Sequence, residues 1–583
     1  MAAPDPAAPD LAGAGPAAPG PAGSPARPHT PAVAWVVLAL VLAFGAWARI
    51  AHADFGIPAR HHASEKDKVS TSFALAQHGL HATGYSNHPY LLLYATAAAG
   101  TLSHRVFGMP MAPDTFWLAG RVTVGILGTL TILATFLLAR EAARGPPPRG
   151  AERDGTRERA AVAAGLAAAA FLAAAPLHAV HSRYLKEDVV EGLFVTLACW
   201  ASVRLARGGG TLDAVVAVAS AALAAGSKLA GGIAFVAVLP AFALRASATP
   251  AAGRPPFGRR LLGTALLGLL AVEIVAVCLP SLFLDLGSLG ADMRKEGTRA
   301  MAHGFDAPIS PWRHAWGFHL ERSLLPGMTA PLLALALSGW GLLLRAREPG
   351  AWTLCLLSAT WYLVHEASPL KPAPDFARYM CVEVPLLAAT AGAALAPFLA
   401  AVPGHGALLR AGVAAALAGA ALGVAVPRTV AVVDSMVPDT RTQATLWLAE
   451  HLPQRAVVLV ETHGPAPPAW FPARAWAVMG HPPAGRPYAM GFDAATGRIF
   501  PPAGGGRWIR VEYVITSSFW RDRWYEIEEA AESEEGVQAQ GHYAALESRW
   551  GPPVQVFRPP AAGSFGYHNP EIRIYRNPVP LRR

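Results

Sequence analysis

The stretch HPYLLLYATAAAGTLSHRVF, residues 88–107, decides how the chain is threaded. It is one of twelve apolar runs, the others lying near residues 31–50, 116–139, 160–180, 189–206, 212–227, 229–245, 261–284, 329–345, 351–366, 380–401 and 408–427. Several reach the roughly 20 residues that an α-helix needs to cross the hydrocarbon layer. Basic connections punctuate them: 140–160 holds Arg140, Arg144, Arg149, Arg153, Arg157 and Arg159, and 245–260 holds Arg245, Arg254, Arg259 and Arg260. Arg204 with Arg207, Arg345 with Arg347, and Arg410 mark three more. Arg-rich loops stay in the cytoplasm. If all twelve runs crossed from a cytoplasmic N-terminus, the 140–160 loop, the most basic of them, would fall outside. Residues 88–107 are the run to withdraw, because they start on His88-Pro89, carry His104 and Arg105, and are rich in small residues. They are expected to form an interfacial or re-entrant helix. The eleven remaining runs then put every basic loop in the cytoplasm.

The bulk properties agree with this class. Of 583 residues, 53% are hydrophobic and 15% charged, which implies an α-helical polytopic membrane protein of about eleven transmembrane helices. A net charge of +9 does not imply nucleic acid, since the arginines sit in short loops with no basic stripe interleaved with aromatics. Cys199, Cys278, Cys355 and Cys381 all lie in apolar runs without paired or metal-ligand spacing, as core or lipid-facing thiols do. Residues 1–30 are rich in Ala, Pro and Gly and are expected to be disordered. The run after them lacks a small-residue cleavage site, so it reads as an uncleaved anchor. The expected organisation is a membrane module over 31–430 and a soluble, extracytoplasmic α/β domain over 431–583.

The outer segments then include 51–115, 181–188, 285–328 and 367–379. HHASEKDKV, residues 61–69, places Glu65 and Asp67 among His61, His62, Lys66 and Lys68. HSRYLKEDVVEGLF, residues 181–194, adds Arg183, Lys186, Glu187, Asp188 and Glu191, with Asp188 either an N-cap of the next helix or a functional carboxylate. Lys228, in AAGSKLAGG, either snorkels or finds an anionic partner. SPLKPAPDFARYMCVEVP, residues 368–385, brings Lys371, Asp375, Arg378 and Tyr379 to another outer helix mouth, where interfacial anchoring is the plain alternative. Carboxylates facing cations on one side suit a reaction in which a base takes a hydroxyl proton while cations hold a departing phosphate.

At these residues the sequence resembles the type C glycosyltransferases, specifically the bacterial relatives of dolichyl-phosphate-mannose protein mannosyltransferases and of lipid A aminoarabinose transferases. HASE at 62–65 and HPYLLLY at 88–94 look like the family's acidic pair and the Pro-containing stretch after it. Ser182, Arg183 and Asp188 look like its second outer loop, GSKLAGG like its lysine motif, and FARYMCVEVPLLA like its Arg-Tyr segment. The resemblance covers roughly residues 31–430. It implies transfer of a sugar from a polyprenyl-phosphate lipid to an extracytoplasmic acceptor in the inner membrane, with inversion. It implies Glu65 or Asp67 as base, with Asp188 orienting the acceptor or a metal. His62, His88, Arg183, Lys186, Lys228, Lys371, Arg378 and Tyr379 fall to substrate binding. Some members take a divalent cation (Mg or Mn) and others none; Glu65 and Asp188 are its candidate ligands here. Where the family's pair usually has Asp, this chain has Ser64. A flippase of lipid-linked intermediates and an inactive scaffold remain the rival readings.

Beyond 430 the pattern changes. DTRTQATLWLAEHLPQ, residues 439–454, has helical spacing, and AVVLVE, VEYVITSS and EIRIYRN read as strands. Trp447, Trp470, Trp508, Trp520, Trp524 and Trp550 suit packing, sugar stacking or the headgroup boundary. The charged segment 517–536 reads as a solvated helix, and His463 and His542 lack zinc-ligand spacing.

Overall fold

The computed structural model describes residues 32–57, 59–62, 64–79, 88–145, 155–248, 256–301, 307–308, 312–368, 370–371, 377–399, 405–472, 476–479, 492–493, 498–499, 509–561 and 563–579. The N-terminal tail, most of the 140–160 loop's tip and Trp508 lie outside them.

The centre of the bundle is the long helix Pro113–Arg144, packed against Gly155–Ala173, Glu187–Ala206 and Ala32–Ile50. Glu383–Leu399 packs against Gly155–Ala173 on one flank and Ala330–Arg345 on the other. Small residues set these distances. A Cβ added at Gly339 would lie 2.0 Å from the Thr390 carbonyl oxygen, and one at Gly392 would lie 2.4 Å from that of Ala164. Close backbone approach of this kind is how helices associate in lipid, where apolar burial offers no drive. Gly339→Val is therefore expected to cost at least about 1–3 kcal/mol through overpacking, read as a lower melting temperature in detergent.

Every apolar run is helical for most of its length, yet they are not equally long. Among the described residues five helices are long and apolar enough to cross a membrane: Ala32–Ile50, Pro113–Arg144, Glu187–Ala206, Phe257–Cys278 and Gly406–Asp434. A sixth arises if Leu320–Met328 and Ala330–Arg345, bent by 108° at Thr329, count as one. Five or six of the described helices thus meet the length and composition of a crossing, against the eleven expected from the runs. Thr211–Ser227, Leu229–Arg245 and Glu383–Leu399 each fall in the 10–17 residue range, and 17 residues rise only about 25 Å. The 160–180 run breaks at Ala173, and Pro176 opens the separate turn Pro176–His181, since proline cannot donate to the preceding helix.

The deciding stretch becomes the helix Leu91–Phe107, which ends at Gly108 in the left-handed region. One face, Leu92, Leu93, Thr96 and Gly100, is buried; Gly100 lies against the Phe116 ring, which a Cβ would approach to 2.4 Å. Leu102, Val106 and Phe107 on the remainder are exposed. The Tyr90 N–H donates to the Cys278 carbonyl and anchors its start. The four cysteines are buried and free.

Past Asp434 the chain forms the helix Thr440–His451, capped by Asp439, whose carboxylate accepts from the Arg441 N–H. A five-stranded sheet follows: β1 (Val458–Glu461), β2 (Trp476–Met479), β3 (Tyr513–Ser517), β4 (Gln555–Phe557) and β5 (Ile572–Arg576), in the order β2-β1-β3-β5-β4. β1 runs parallel to β2 and β3, while β5 is antiparallel to β3 and β4. The three strand expectations fall on β1, β3 and β5; one face of the sheet packs with Ala444 and Leu448, and Leu459, Val514 and Tyr575 on the other face pack with Leu546 and Trp550. The charged segment 517–536 is not a single solvated helix: it folds as short turns whose Trp520 and Trp524 are buried, and Glu528, Glu529 and Glu532 pair with Arg313 and His314. Trp550 is buried in the core, Trp470 is exposed, and Trp447 stacks on His451.

Candidate functional site

The helix Glu187–Ala206 starts where Lys186 takes an extended backbone, with no side-chain cap. Asp188 is therefore not an N-cap; it lies one residue inside, with its Oδ1 2.8 Å from Lys228 Nζ. Lys228 is placed by its own extended residue between Thr211–Ser227 and the following short helix. It meets Asp188 instead of snorkelling, and its ammonium also lies 5.1 Å from the Tyr379 ring centre. Arg378 covers the same ring at 4.9 Å and donates to the Tyr379 hydroxyl at 3.2 Å. Glu187 pairs with Lys68 at 2.5 Å, both buried, which fastens the helix Glu65–His78 to the same point.

Lys186 occupies the middle of this cluster. Its side chain is half-buried, and among the described residues its ammonium has no hydrogen bond or ion pair. Burial, with Lys68 and Arg378 close by, lowers its pKa to about 8 against the pull of Glu187 and Asp188. His88 sits near enough to feel Lys68 and Lys186 and, chiefly through burial, is lowered to about 4. Glu191 lies 3.9 Å from Lys228 Nζ with neither oxygen hydrogen-bonded. The structure thus gathers His88, Lys186, Asp188, Lys228, Arg378 and Tyr379 from four separate segments into one polar cluster. A cluster with cations in excess, in which Asp188 and Glu191 are incompletely occupied, can hold an anion and accept a proton beside it.

Other candidates go elsewhere. Glu65 is fully buried and accepts from Arg121 Nε at 3.1 Å and Nη2 at 2.6 Å, from Trp117 Nε1 at 2.7 Å and from the Leu185 N–H at 2.5 Å. Arg121 reaches on to the Ala53 and Phe55 carbonyls. Sequence reading missed Arg121, although an arginine inside the apolar run 116–139 is the signal that finds it. Asp67 is exposed on the same helix as Glu65. Arg183 is buried, donating to the Ala51 and Ala179 carbonyls as a clamp on the first helix end. The side chain of Lys371 lies outside the described residues. Among those residues no three His, Cys, Asp or Glu side chains gather as a metal site. Glu65 is committed to Arg121, and Asp188 to Lys228 through Oδ1.

His61 and His62 instead form a joint with the C-terminal domain. His61 Nε2 is 3.1 Å from Thr442 Oγ1, and the His62 ring lies 4.0 Å from Tyr567 and 5.0 Å from Tyr184. His181 meets the Phe565 carbonyl, and the Tyr184 hydroxyl meets His568 Nδ1, each at 2.8 Å. Arg441 ties Asp439 to the His61 and Tyr567 carbonyls. Burial lowers His61 and His568 to about 3 and His181 to about 4, with Arg441 adding to the first two. Folded pKa values below the ordinary 6.5 mean stability that is complete above about pH 6.5 and lost as pH falls toward 4 and then 3. Docking of the C-terminal domain is therefore expected to loosen on acidification, seen as faster amide exchange at 61–62 and 565–568; pH-independent exchange, corrected for intrinsic rates, would refute it.

No family model matches the sequence, and no curated protein matches it. Similar solved structures exist. ArnT from Cupriavidus metallidurans in the apo state is 18% identical at a TM-score of 0.46, the match covering 74% of this chain and 82% of that one. The same protein bound to undecaprenyl phosphate is 17% identical at 0.47, covering 74% and 84%. The oligosaccharyltransferase of Archaeoglobus fulgidus, in complex with Zn and sulfate, is 15% identical at 0.45, covering 94% of this chain and 74% of that one. These likenesses are partial.

Proposed function

We propose that the protein is an integral-membrane glycosyltransferase of the type C kind, which takes a sugar from a polyprenyl-phosphate lipid on the face that carries the C-terminal domain. The positive-inside pattern supports placing that face outside the cytoplasm, with the protein in the inner membrane. The observation that carries the reading is the half-buried Lys186 ammonium, which makes no ion pair among the described residues and has the cations Lys68 and Arg378 close enough, with burial, to lower its pKa. Desolvated cations converging on one point are costly unless an anion completes them. The phosphate of an amphiphilic donor has the right charge for that point, and its position at the helix mouths lets the prenyl chain remain in lipid.

In this scheme the acceptor hydroxyl gives its proton to a carboxylate and its oxygen attacks the anomeric carbon opposite the phosphate. The carbon–oxygen bond to phosphate breaks, and the electron pair leaves with the polyprenyl phosphate, held by Lys186 and Arg378. Asp188 is the carboxylate assigned to the acceptor, because among the described residues only its Oδ1 is engaged, by Lys228. Glu65 is assigned to the frame, and no step is routed through a metal. The sugar is left unassigned between hexose and pentose.

The test is purified protein in nanodiscs with labelled polyprenyl-phosphate sugars, scored separately for donor binding and for transfer. Asp188→Asn is expected to keep donor binding and to lower transfer by on the order of 100-fold, as removal of a general base does. Transfer undiminished in that variant would overturn the assignment of Asp188. Donor bound but never consumed by the unmodified chain would replace the enzyme reading with that of an inactive scaffold, which Ser64 in the expected aspartate's place favours.

A further inference from the structure

The helix Phe257–Cys278 is long and apolar enough to cross the membrane, yet only 6% of its apolar stretch is buried, against 78% for Glu187–Ala206. It rests on Thr211–Ser227, where a Cβ added at Gly226 would come within 2.6 Å of the Cys278 Cβ. Away from that contact the helix is open. Leu262, Leu266 and Leu269 are 60%, 57% and 53% exposed, and Glu273, next in the same line, is exposed as well. Their spacing of 4, 3 and 4 is that of a and d positions, which follow one seam along a helix.

A carboxyl group is out of place on that seam. The arginines of the 245–260 loop hold the start of the helix in the cytoplasm, so Cys278, whose carbonyl accepts from the Tyr90 N–H, marks its outer end. Glu273 stands five residues before it, which at the rise of an α-helix is about 7 Å deeper. Helical Cβ atoms tilt toward the N-terminus, so the side chain leans to the middle of the membrane and not to the outer water. Two other ionisable groups well inside candidate spans are covered: Arg121 is buried against Glu65, and Glu191 is buried beside Lys228. Glu273 has no hydrogen bond or ion pair among the described residues. An ionisable group facing lipid alone is strongly disfavoured and calls for a polar partner.

That partner has to bring a hydrogen-bonding group to the depth of Glu273 and apolar side chains to the depths of the three leucines. A second copy of the chain supplies both. Copies in one bilayer point the same way, so across a two-fold axis each position of the seam meets its own equivalent. Leucine then packs on leucine, and the two carboxyl groups, sharing a proton, hydrogen-bond to each other. In lipid, helices associate through packing and such polar contacts, and a single polar residue at an a position fixes the register.

We infer that the protein pairs with a second copy of itself through the lipid-facing seam of Phe257–Cys278, with the two Glu273 side chains in contact. The inference does not depend on sugar transfer.

Single-molecule photobleaching of the labelled full chain in liposomes, over a series of protein-to-lipid dilutions, tests it. The unmodified protein is expected to bleach in two steps until it is highly diluted. Glu273→Leu should weaken association by roughly 3- to 30-fold, the range for an interhelical hydrogen bond in lipid. Glu273→Gln, whose amide both donates and accepts, should stay close to the unmodified protein. Since Glu273 touches nothing within the chain, both variants should melt normally. Oxidative cross-linking gives a second reading: Leu269→Cys, on the seam, should link two copies, and Thr264→Cys, exposed on another side of the helix, should not. Monomers at every dilution, or counts of three and more, overturn the proposal. So does association as tight in Glu273→Leu as in the unmodified chain, or lost equally in Glu273→Gln and Glu273→Leu. A link that forms as readily from position 264 as from 269 places the contact elsewhere and overturns it too.

Discussion

Glu65→Gln is expected to damage the fold before it damages catalysis. Its carboxylate accepts four hydrogen bonds in a site with no solvent exposure, two of them from Arg121. Replacing it with an amide leaves the Arg121 charge buried and uncompensated, and breaking one side of a buried ion pair costs about 3–5 kcal/mol. The measurement is thermal melting in detergent for Glu65→Gln, Arg121→Met and the double variant. Each single variant should melt well below the unmodified protein. The double variant should recover part of the loss, because the unpaired charge is gone in both partners. A Glu65→Gln protein that melts normally but transfers no sugar would restore Glu65 as the base. A carboxylate that spends its lone pairs on a guanidinium, an indole and a backbone amide has none to offer an acceptor hydroxyl in this arrangement.

That contrast shows where sequence stops. HHASEKDKV and HSRYLKED identified the polar face, because charges at the ends of apolar runs are placed by the membrane itself. What those charges touch depends on helix rotation. Glu65 and Lys68 lie on one helix three residues apart and face Arg121 and Glu187, whereas Asp67 between them faces outward, as a period of 3.6 requires. Hydropathy could not choose among the three without knowing which face meets Pro113–Arg144. The runs on either side of Lys228 were already short in the sequence; what the structure adds is that Lys228 meets Asp188. In the C-terminal part, short runs rich in β-branched residues marked β1, β3 and β5, because β1 and β3 are buried at every position and such strands are written as short apolar runs. The histidine joint was hidden because His62 meets Tyr567 across about 500 residues.

Lys186→Met is expected to remove most of the donor's affinity while leaving the protein folded. Among the described residues the ammonium has no partner to strand, so its loss exposes no buried opposite charge, and methionine keeps the length and apolar stem. A hydrogen bond to a charged group is worth about 1.5–3 kcal/mol, which predicts donor binding weaker by roughly 10- to 150-fold. The pH profile gives a second, sharper reading. With its pKa lowered to about 8, Lys186 is charged near neutrality and loses its proton as pH rises through that value. Donor binding should therefore fall between about pH 7.5 and 9, and the bound phosphate should raise the lysine's pKa by the reciprocal amount. Lys186→Arg keeps its charge throughout this range, so its binding should be flat there, and Lys186→Met should be uniformly weak. Titration of donor binding by tryptophan quenching or calorimetry in nanodiscs separates the three. If the unmodified protein shows no fall while the methionine variant is weak, the lysine acts by shape and the phosphate lies on other cations. If all three bind alike, the pocket is not where the donor sits, whatever the chain does with its sugar.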